Sequence, residues 1–178
     1  PQYLPPRGRF WLTSARLARV KTALEYGTGC GSNVAHCAQL EKSIEWFGLD
    51  VSVEQVKQNR AIVERQKVPG NFMLDDLSRQ FDSVALLDII EHTCFPLTLI
   101  ERAEKYVKPG GIMTIVVPNG PWSLHTDDFP KMEKLIGNHV NVSSVSELVR
   151  LARTRGRVLH AERLPGPVTS ADNSSACI

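Results

Sequence analysis

The stretch Ala23-Leu24-Glu25-Tyr26-Gly27-Thr28-Gly29-Cys30-Gly31-Ser32 decides the fold: an apolar run ends in an acidic residue, and three glycines follow at every second position. A helical pattern begins at Asn33. This order predicts a strand, a tight turn and the start of a helix. Glycines allow positive φ angles and let the backbone approach a ligand closely, and a helix start offers unpaired N–H groups. The turn alone does not identify a cofactor, so that identification depends on the residues downstream of it.

The composition places the chain among ordinary globular domains. Its 178 residues are 42% apolar and 22% charged, enough for one good core. No apolar run approaches the roughly 20 residues that span a bilayer. A net charge of +2 is too small to indicate nucleic-acid binding by itself. The four cysteines lack metal-ligand spacing, so we expect neither disulfides nor structural zinc. We therefore expect a cytoplasmic location, where thiols stay reduced. The sequence begins at Pro1 without a methionine, so we keep open that it is part of a longer polypeptide. An oligomer is a separate possibility that the sequence leaves open.

Strands and helices alternate along the chain. After an irregular arm at Pro1–Gly8, a short helix is predicted within Phe10–Val20. A capping box formed by Ser52 and Gln55 opens one of the later helices. The predicted strands are Lys21–Tyr26, Ser43–Leu49, Asn71–Leu74, Val84–Ile90, Ile112–Val117 and Val158–Leu164. The predicted helices are Ser32–Glu41, Ser52–Gln66, one around Leu99–Val107 that Lys108–Gly111 ends, and one from Ser144 to Gly156.

This alternation predicts an α/β fold with a doubly wound, mostly parallel sheet and helices on both faces. We expect a single domain over residues 1–166 and a flexible tail over 167–178. In such sheets ligands bind beyond the carboxyl ends of the strands. The polar residues that follow the predicted strands are Glu25 to Gly31, Asp50, Asp75 and Asp76, Asp88 to His92, and Asn119 onward.

Several motifs now support a family resemblance. Glu25-x-Gly27-x-Gly29-x-Gly31 resembles the first motif of class I S-adenosylmethionine-dependent methyltransferases, and Gly48-Leu49-Asp50 is similar to their second-strand acidic motif. The resemblance covers about residues 20–120, with four motifs in the family's order, and it implies the Rossmann-like fold of that class. It is strongest to the ubiquinone-biosynthesis O-methyltransferase type in the segments Phe81–Val84, Asp88–His92, Pro96, Lys108–Gly111 and Pro118-Asn119.

The resemblance implies S-adenosylmethionine as cofactor, S-adenosylhomocysteine as product, and a role for each motif. The glycines would pass under the methionine part and the ribose, and Asp50 would accept the ribose hydroxyls. Asp76, or else Asp75, would receive the adenine amino group, and Asp88 would border the methionine ammonium group. Two alternatives stay open: Glu25 could hold the glycine turn, and Asp50 could cap the next helix. The cofactor-binding set is Glu25, Gly27, Gly29, Gly31, Asp50, Val51, Asp75, Asp76, Leu77 and Asp88.

The reaction implied by this resemblance is an in-line displacement at the sulfonium methyl group. It needs chiefly a near-attack geometry and a dry site. If the acceptor is a hydroxyl, a histidine is the natural general base, and the candidates are His92, His125 and His139. We expect residues 121–143 to form a substrate-side loop. No metal is expected, because the Asp-Asn pair of metal-dependent catechol-type enzymes is missing.

The predicted acceptor is a small molecule, and other classes remain as alternatives. A nicotinamide-dependent oxidoreductase would require Gly-x-Gly-x-x-Gly, but Ser32 occupies the last position. A non-catalytic module that binds S-adenosylmethionine would share the same motifs. An RNA or other nucleic-acid methyltransferase would suit the arginines of residues 150–157, although solvated helix faces explain these charges more simply and aromatic interleaving is missing.

Overall fold

The computed structural model describes residues 6–67, 69–74, 78–118, 145–164 and 175–177. Within these ranges, no helix has the length and apolar character needed to cross a membrane. The helices are α1 (Pro6–Leu17), α2 (Ser32–Leu40), α3 (Val53–Gln66), α4 (Pro96–Glu104) and α5 (Val145–Arg153), with a 3-10 turn at Ile90–His92. The strands are β1 (Thr22–Tyr26), β2 (Glu45–Leu49), β3 (Asn71–Met73), β4 (Phe81–Leu87), β5 (Val107–Pro118), β6 (Glu162–Leu164) and β7 (Ser175–Cys177).

The chain divides into two compact units, of which the first comprises residues 1–87 and 102–114. Its strand order is β3-β2-β1-β4-β5. Strand β1 pairs in parallel with β2 and β4, and β2 pairs in parallel with β3. The order therefore reverses beside β1, and right-handed crossovers on the two sides of such a point place helices on opposite faces. The predicted doubly wound α/β class is confirmed.

The second unit comprises residues 88–101 and 115–178. Here the end of β5 pairs antiparallel with β7, and β7 pairs antiparallel with β6. Strand β7 lies in the segment that the sequence predicts to be a flexible tail. A three-residue segment carries little strand signal of its own, and here hydrogen bonds to strands on both sides satisfy its backbone.

Several predicted boundaries were wrong for local reasons. Strand β4 ends at Leu87 rather than Ile90, because Asp88 adopts a positive φ of 50° and a 3-10 turn begins at Ile90. Ile90 extended the apolar run because its side chain is buried, not because it belongs to a strand. The segment Lys108–Gly111 lies inside β5 instead of ending a helix. Residues 6–8 begin α1 rather than ending an arm, since proline is tolerated in a first helical turn.

Other elements are shorter than predicted. Strand β6 covers only Glu162–Leu164 of the predicted Val158–Leu164, and strand β2 begins at Glu45 rather than Ser43. At β2 the predicted start was a serine, which is common in turns, so periodicity alone does not locate the first residue of the strand accurately.

Two buried tryptophans attach α1 to the first unit. The rings of Trp11 and Trp46 meet edge to face with their centroids 4.8 Å apart. The Trp11 indole N–H donates to the Ser83 hydroxyl at 3.2 Å, and the Trp46 indole N–H donates to the Glu41 carbonyl at 2.9 Å. Both polar indole atoms are therefore satisfied inside the core, which lets these large rings be fully buried.

Asp82 joins the beginnings of several strands. One carboxylate oxygen accepts the N–H groups of Lys21 and Thr22 at 2.8 and 2.9 Å. The other lies 2.8 Å from the Lys108 ammonium nitrogen. Burial raises the pKa of this carboxyl group, but the hydrogen bonds from Lys108, Lys21 and Thr22 outweigh it and bring the pKa to about 2. The charged form is thus the one that stabilises the fold.

We expect Asp82→Asn to lower the free energy of unfolding at pH 7 by about 1–2 kcal/mol, because a charge-assisted hydrogen bond is lost. The folded-state pKa of Asp82 lies below its ordinary value of 3.8. Its contribution is therefore present above about pH 4 and disappears as the pH falls toward 2. Urea denaturation at pH 7 and pH 2.5 measures this, with Glu64→Gln as the exposed control. An equal loss at both pH values contradicts the assignment.

Candidate cofactor site

The glycine turn after β1 has the conformation that its sequence predicts. Gly27, Gly29 and Gly31 have φ angles of 75°, 51° and 71°. The N–H groups of Gly27 and Thr28 both donate to the carbonyl of Leu49, at 2.8 and 2.9 Å. Since Leu49 is the last residue of β2, the turn is attached to the carboxyl ends of two neighbouring strands.

Glu25 supports this turn from inside the protein. Its side chain is 2% exposed. One carboxylate oxygen accepts the Thr28 hydroxyl at 2.8 Å, and the other accepts the Asn33 amide at 2.7 Å. A buried carboxylate needs such donors, because burial without them is costly. The structure therefore supports the alternative in which Glu25 holds the turn, through the side chains of Thr28 and Asn33. Its contact with a cofactor stays a prediction.

Asp50 connects the turn to the beginning of α3. One carboxylate oxygen accepts the Gly29 N–H at 2.9 Å, and the other accepts the Ser52 N–H at 3.0 Å. The helix cap itself is Ser52, whose hydroxyl accepts the Gln55 N–H at 3.2 Å, as the capping box predicts. A carboxylate has about four lone-pair sites, and these two bonds leave acceptor capacity for a ligand.

Glycine is required for packing at two positions around the turn, and a third glycine leaves open space. A Cβ at Gly31 would lie 2.5 Å from the buried Phe72 ring, and one at Gly48 would lie 2.7 Å from the Thr28 hydroxyl oxygen. Packing therefore requires glycine at both positions. At Gly29, no atom of the described residues other than its chain neighbours lies within 4 Å of the Cβ position. The open side of the turn is thus at Gly29, next to the Asp50 carboxylate.

Two residues of this arrangement were not predicted from the sequence. Phe72 lies on β3 beside Gly31 and Gly48, and Asn59 lies on α3 with only 1% exposure. The Asn59 amide donates to the Gly29 carbonyl at 2.7 Å. A signal was available, because Asn59 follows the buried Val56 by three residues and so belongs to the inward stripe of α3.

None of the contacts given above involves another predicted site residue that the structure describes. Asp88 belongs to the second unit, where its N–H donates to the Val116 carbonyl at 2.9 Å. His92 in that unit has an exposed imidazole, with Nε2 4.0 Å from a carboxylate oxygen of the buried Glu91. Val51 is 77% exposed in the first unit. The predicted residues Asp75, Asp76, Leu77, His125 and His139, and the loop 121–143, lie outside the described residues.

Comparison with known proteins adds to this geometry. A family model described as a methyltransferase domain matches residues 6–162. The ubiquinone biosynthesis O-methyltransferase of Pseudomonas paraeruginosa is 27% identical over 109 residues, which cover 57% of this chain and 46% of that protein. The chain therefore spans about half the length of the curated relatives it matches.

Solved structures show the same fold. An O-methyltransferase family protein from Burkholderia thailandensis superposes with a TM-score of 0.71 at 16% identity, covering 97% of this chain and 54% of that one. Coclaurine N-methyltransferase, bound to N-methylheliamine and SAH, has a TM-score of 0.68 at 16% identity and covers 88% of this chain and 51% of that one.

The family match, the curated relatives and the shared fold together confirm the resemblance to class I S-adenosylmethionine-dependent methyltransferases seen in the sequence. The family model covers most of the chain, so the chain belongs to the methyltransferase-domain family.

Proposed function

We propose that this chain binds S-adenosylmethionine at the glycine turn and catalyses methyl transfer to a hydroxyl group of a small molecule. The observation that carries the proposal is the arrangement at Gly29. Its N–H donates to the Asp50 carboxylate at 2.9 Å, and no other described residue beyond its chain neighbours comes within 4 Å of its Cβ position. This supports a ligand that lies against the backbone and presents hydroxyl groups to a carboxylate.

The residues of the site fit the chemical groups of this cofactor. Asp50 retains acceptor capacity for the two ribose hydroxyls. Gly29 leaves room for close approach of the methionine part or the ribose. Asp88, directly after β4, would border the ammonium group, since a carboxylate attracts a cation. When bound, the cofactor supplies an activated methyl group on a sulfonium. The protein then has to orient the acceptor, exclude water and accept the proton of the acceptor hydroxyl.

O-methylation is favoured over N-methylation by the curated relatives, which are O-methyltransferases at 27–28% identity. The similarity to an N-methyltransferase structure, at 16% identity, reflects the fold alone. A hydroxyl is a poor nucleophile until it loses its proton, so an O-methyltransferase gains from a general base. For this role we propose His92, His125 or His139.

The acceptor class can be tested with S-adenosylmethionine that carries a trideuterated methyl group. The purified chain is incubated with separate pools of phenols, lipid precursors, sugars, amines and RNA, and products are identified by mass spectrometry. We expect a deuterated methyl group on an oxygen atom of a small molecule. Transfer only to amines or only to RNA contradicts the proposal.

We expect Asp50→Ala to raise the Kd for S-adenosylhomocysteine about 10- to 100-fold, because charge-assisted hydrogen bonds to the ribose are lost. Calorimetry measures the Kd, and thermal unfolding of the same sample shows whether the fold is kept. Glu54→Ala is the control, since it removes an exposed carboxylate from the first turn of the same helix. Unchanged affinity in Asp50→Ala means that Asp50 only joins the turn to α3.

A further inference from the structure

A pair of side-chain amides on α3 reaches the underside of the glycine turn. Asn59 is 1% exposed, and its amide nitrogen donates to the Gly29 carbonyl at 2.7 Å. The Gln55 amide nitrogen, one helical turn earlier, donates to the Asn59 side-chain oxygen at 3.2 Å. Because Gln55 supplies a donor to that oxygen, it determines which end of the Asn59 amide faces Gly29. We call this pair the amide brace.

The amide brace and Asp50 together hold both polar groups of the Gly29 backbone. The Gly29 N–H is held by Asp50 at 2.9 Å, and the Gly29 carbonyl is held by Asn59 at 2.7 Å. Glycine has wide backbone freedom, so its φ of 51° needs such contacts to stay fixed. The same segment also orients the Asp50 carboxylate, which is the proposed acceptor for the ribose. The brace therefore holds the Gly29 peptide from the α3 side of the turn.

Helix propensity and apolar packing do not by themselves explain an asparagine at this position. Asparagine is a poorer helix former than alanine or leucine, by roughly 0.5 kcal/mol. A buried amide also gains little net stability from its hydrogen bonds, about 1 kcal/mol each, while an apolar side chain there would add packing. A requirement for one conformation of the glycine turn does explain it.

We propose that Asn59 is a positioning residue for cofactor binding and that Gln55 orients it. The inference rests on the proposed function, because it assigns the brace to the S-adenosylmethionine site. Asn59 does not contact the cofactor; it fixes Gly29 and, through Gly29, the direction of the Asp50 carboxylate.

The sharpest test is Gln55→Glu, which keeps the size of the side chain and removes the donor to Asn59. The new carboxylate repels the Asn59 oxygen and attracts its amide nitrogen away from Gly29. We expect the Kd for S-adenosylhomocysteine to rise about 5- to 20-fold, with little change in Tm because Gln55 is only half-buried. Gln58→Glu is the matched control: it makes the same chemical change on an exposed position of α3 and should leave the Kd unchanged.

A double-mutant cycle separates positioning from general packing. Asn59→Ala alone should raise the Kd about 10- to 50-fold. In the Asp50→Ala background the same change should raise it less than 5-fold, because the carboxylate that the brace orients is gone. If Gln55→Glu and Asn59→Ala lower Tm but bind S-adenosylhomocysteine as tightly as the parent, the brace is structural only and the inference is wrong. Equal fold-changes with and without Asp50 also overturn it. A parent chain that fails to bind the ligand overturns the proposed function, and the inference with it.

Discussion

Gly29→Val should raise the Kd for S-adenosylhomocysteine at least 100-fold while the protein stays folded. Apart from its chain neighbours, no atom of the described residues lies within 4 Å of the Cβ position at Gly29, so an added Cβ meets no steric obstacle among them. It does occupy the space proposed for the cofactor. The residue also has a φ of 51°, at which a β-branched residue is strained by roughly 1–2 kcal/mol.

The control for this substitution is Gly110→Val. Gly110 has a similar positive φ of 78°, and its Cβ position is likewise open. Both variants should therefore lose similar stability in urea denaturation, while only Gly29→Val should lose affinity in calorimetry. Tight binding by Gly29→Val shows that the cofactor does not lie against the turn. A similar loss of affinity in Gly110→Val assigns the effect to backbone strain.

The second large effect is expected from the histidines. Among His92→Ala, His125→Ala and His139→Ala, at least one should lower kcat by about 100- to 10,000-fold, the range for loss of a general base. All three should bind S-adenosylhomocysteine with nearly the parent affinity, because none belongs to the glycine turn. Turnover is measured with the acceptor found in the labelling experiment, since the effect requires a hydroxyl nucleophile.

His160→Ala is the control for the histidine series. His160 is exposed in the segment after α5, and its Nε2 lies 3.5 Å from a Glu162 carboxylate oxygen. Its removal should leave kcat unchanged. If all three candidate variants keep full turnover, proximity alone suffices or another group accepts the proton, and the assignment of a histidine base is wrong.

The first unit was the part of the fold that the sequence predicted best. The glycine turn needs positive φ angles, which glycine signals at each position, and the Ser52 cap is a local pattern that the structure confirms. Alternation of strands and helices also predicted the parallel sheet. These features depend on residues close together in the chain, so short patterns report them.

The remaining features depend on contacts between distant residues. Asn59 contacts Gly29 across 30 positions of sequence, and nothing near Asn59 identifies its partner. Glycine at Gly31 and Gly48 is required by the Phe72 ring, which only the packing of β3 brings there. Strand β7 forms because two other strands pair with it, and its own composition does not favour a strand.

The sequence did not distinguish the orientations of the Glu25 and Asp50 carboxylates. The motif placed both carboxylates beside the turn, but only the structure distinguishes their orientations. Glu25 points inward to Thr28 and Asn33, whereas half-buried Asp50 holds the open edge at Gly29. We therefore expect the cofactor affinity to depend more directly on Asp50.

Calorimetric titration of the parent chain with S-adenosylhomocysteine, with NADH titrated under the same conditions, tests whether the glycine turn is an S-adenosylmethionine site. Both ligands contain an adenosine ribose, but only the first matches the proposed site. We expect saturable one-to-one binding of S-adenosylhomocysteine at micromolar to millimolar concentrations and no heat from NADH. Binding of NADH together with no heat and no thermal shift from S-adenosylhomocysteine would contradict it.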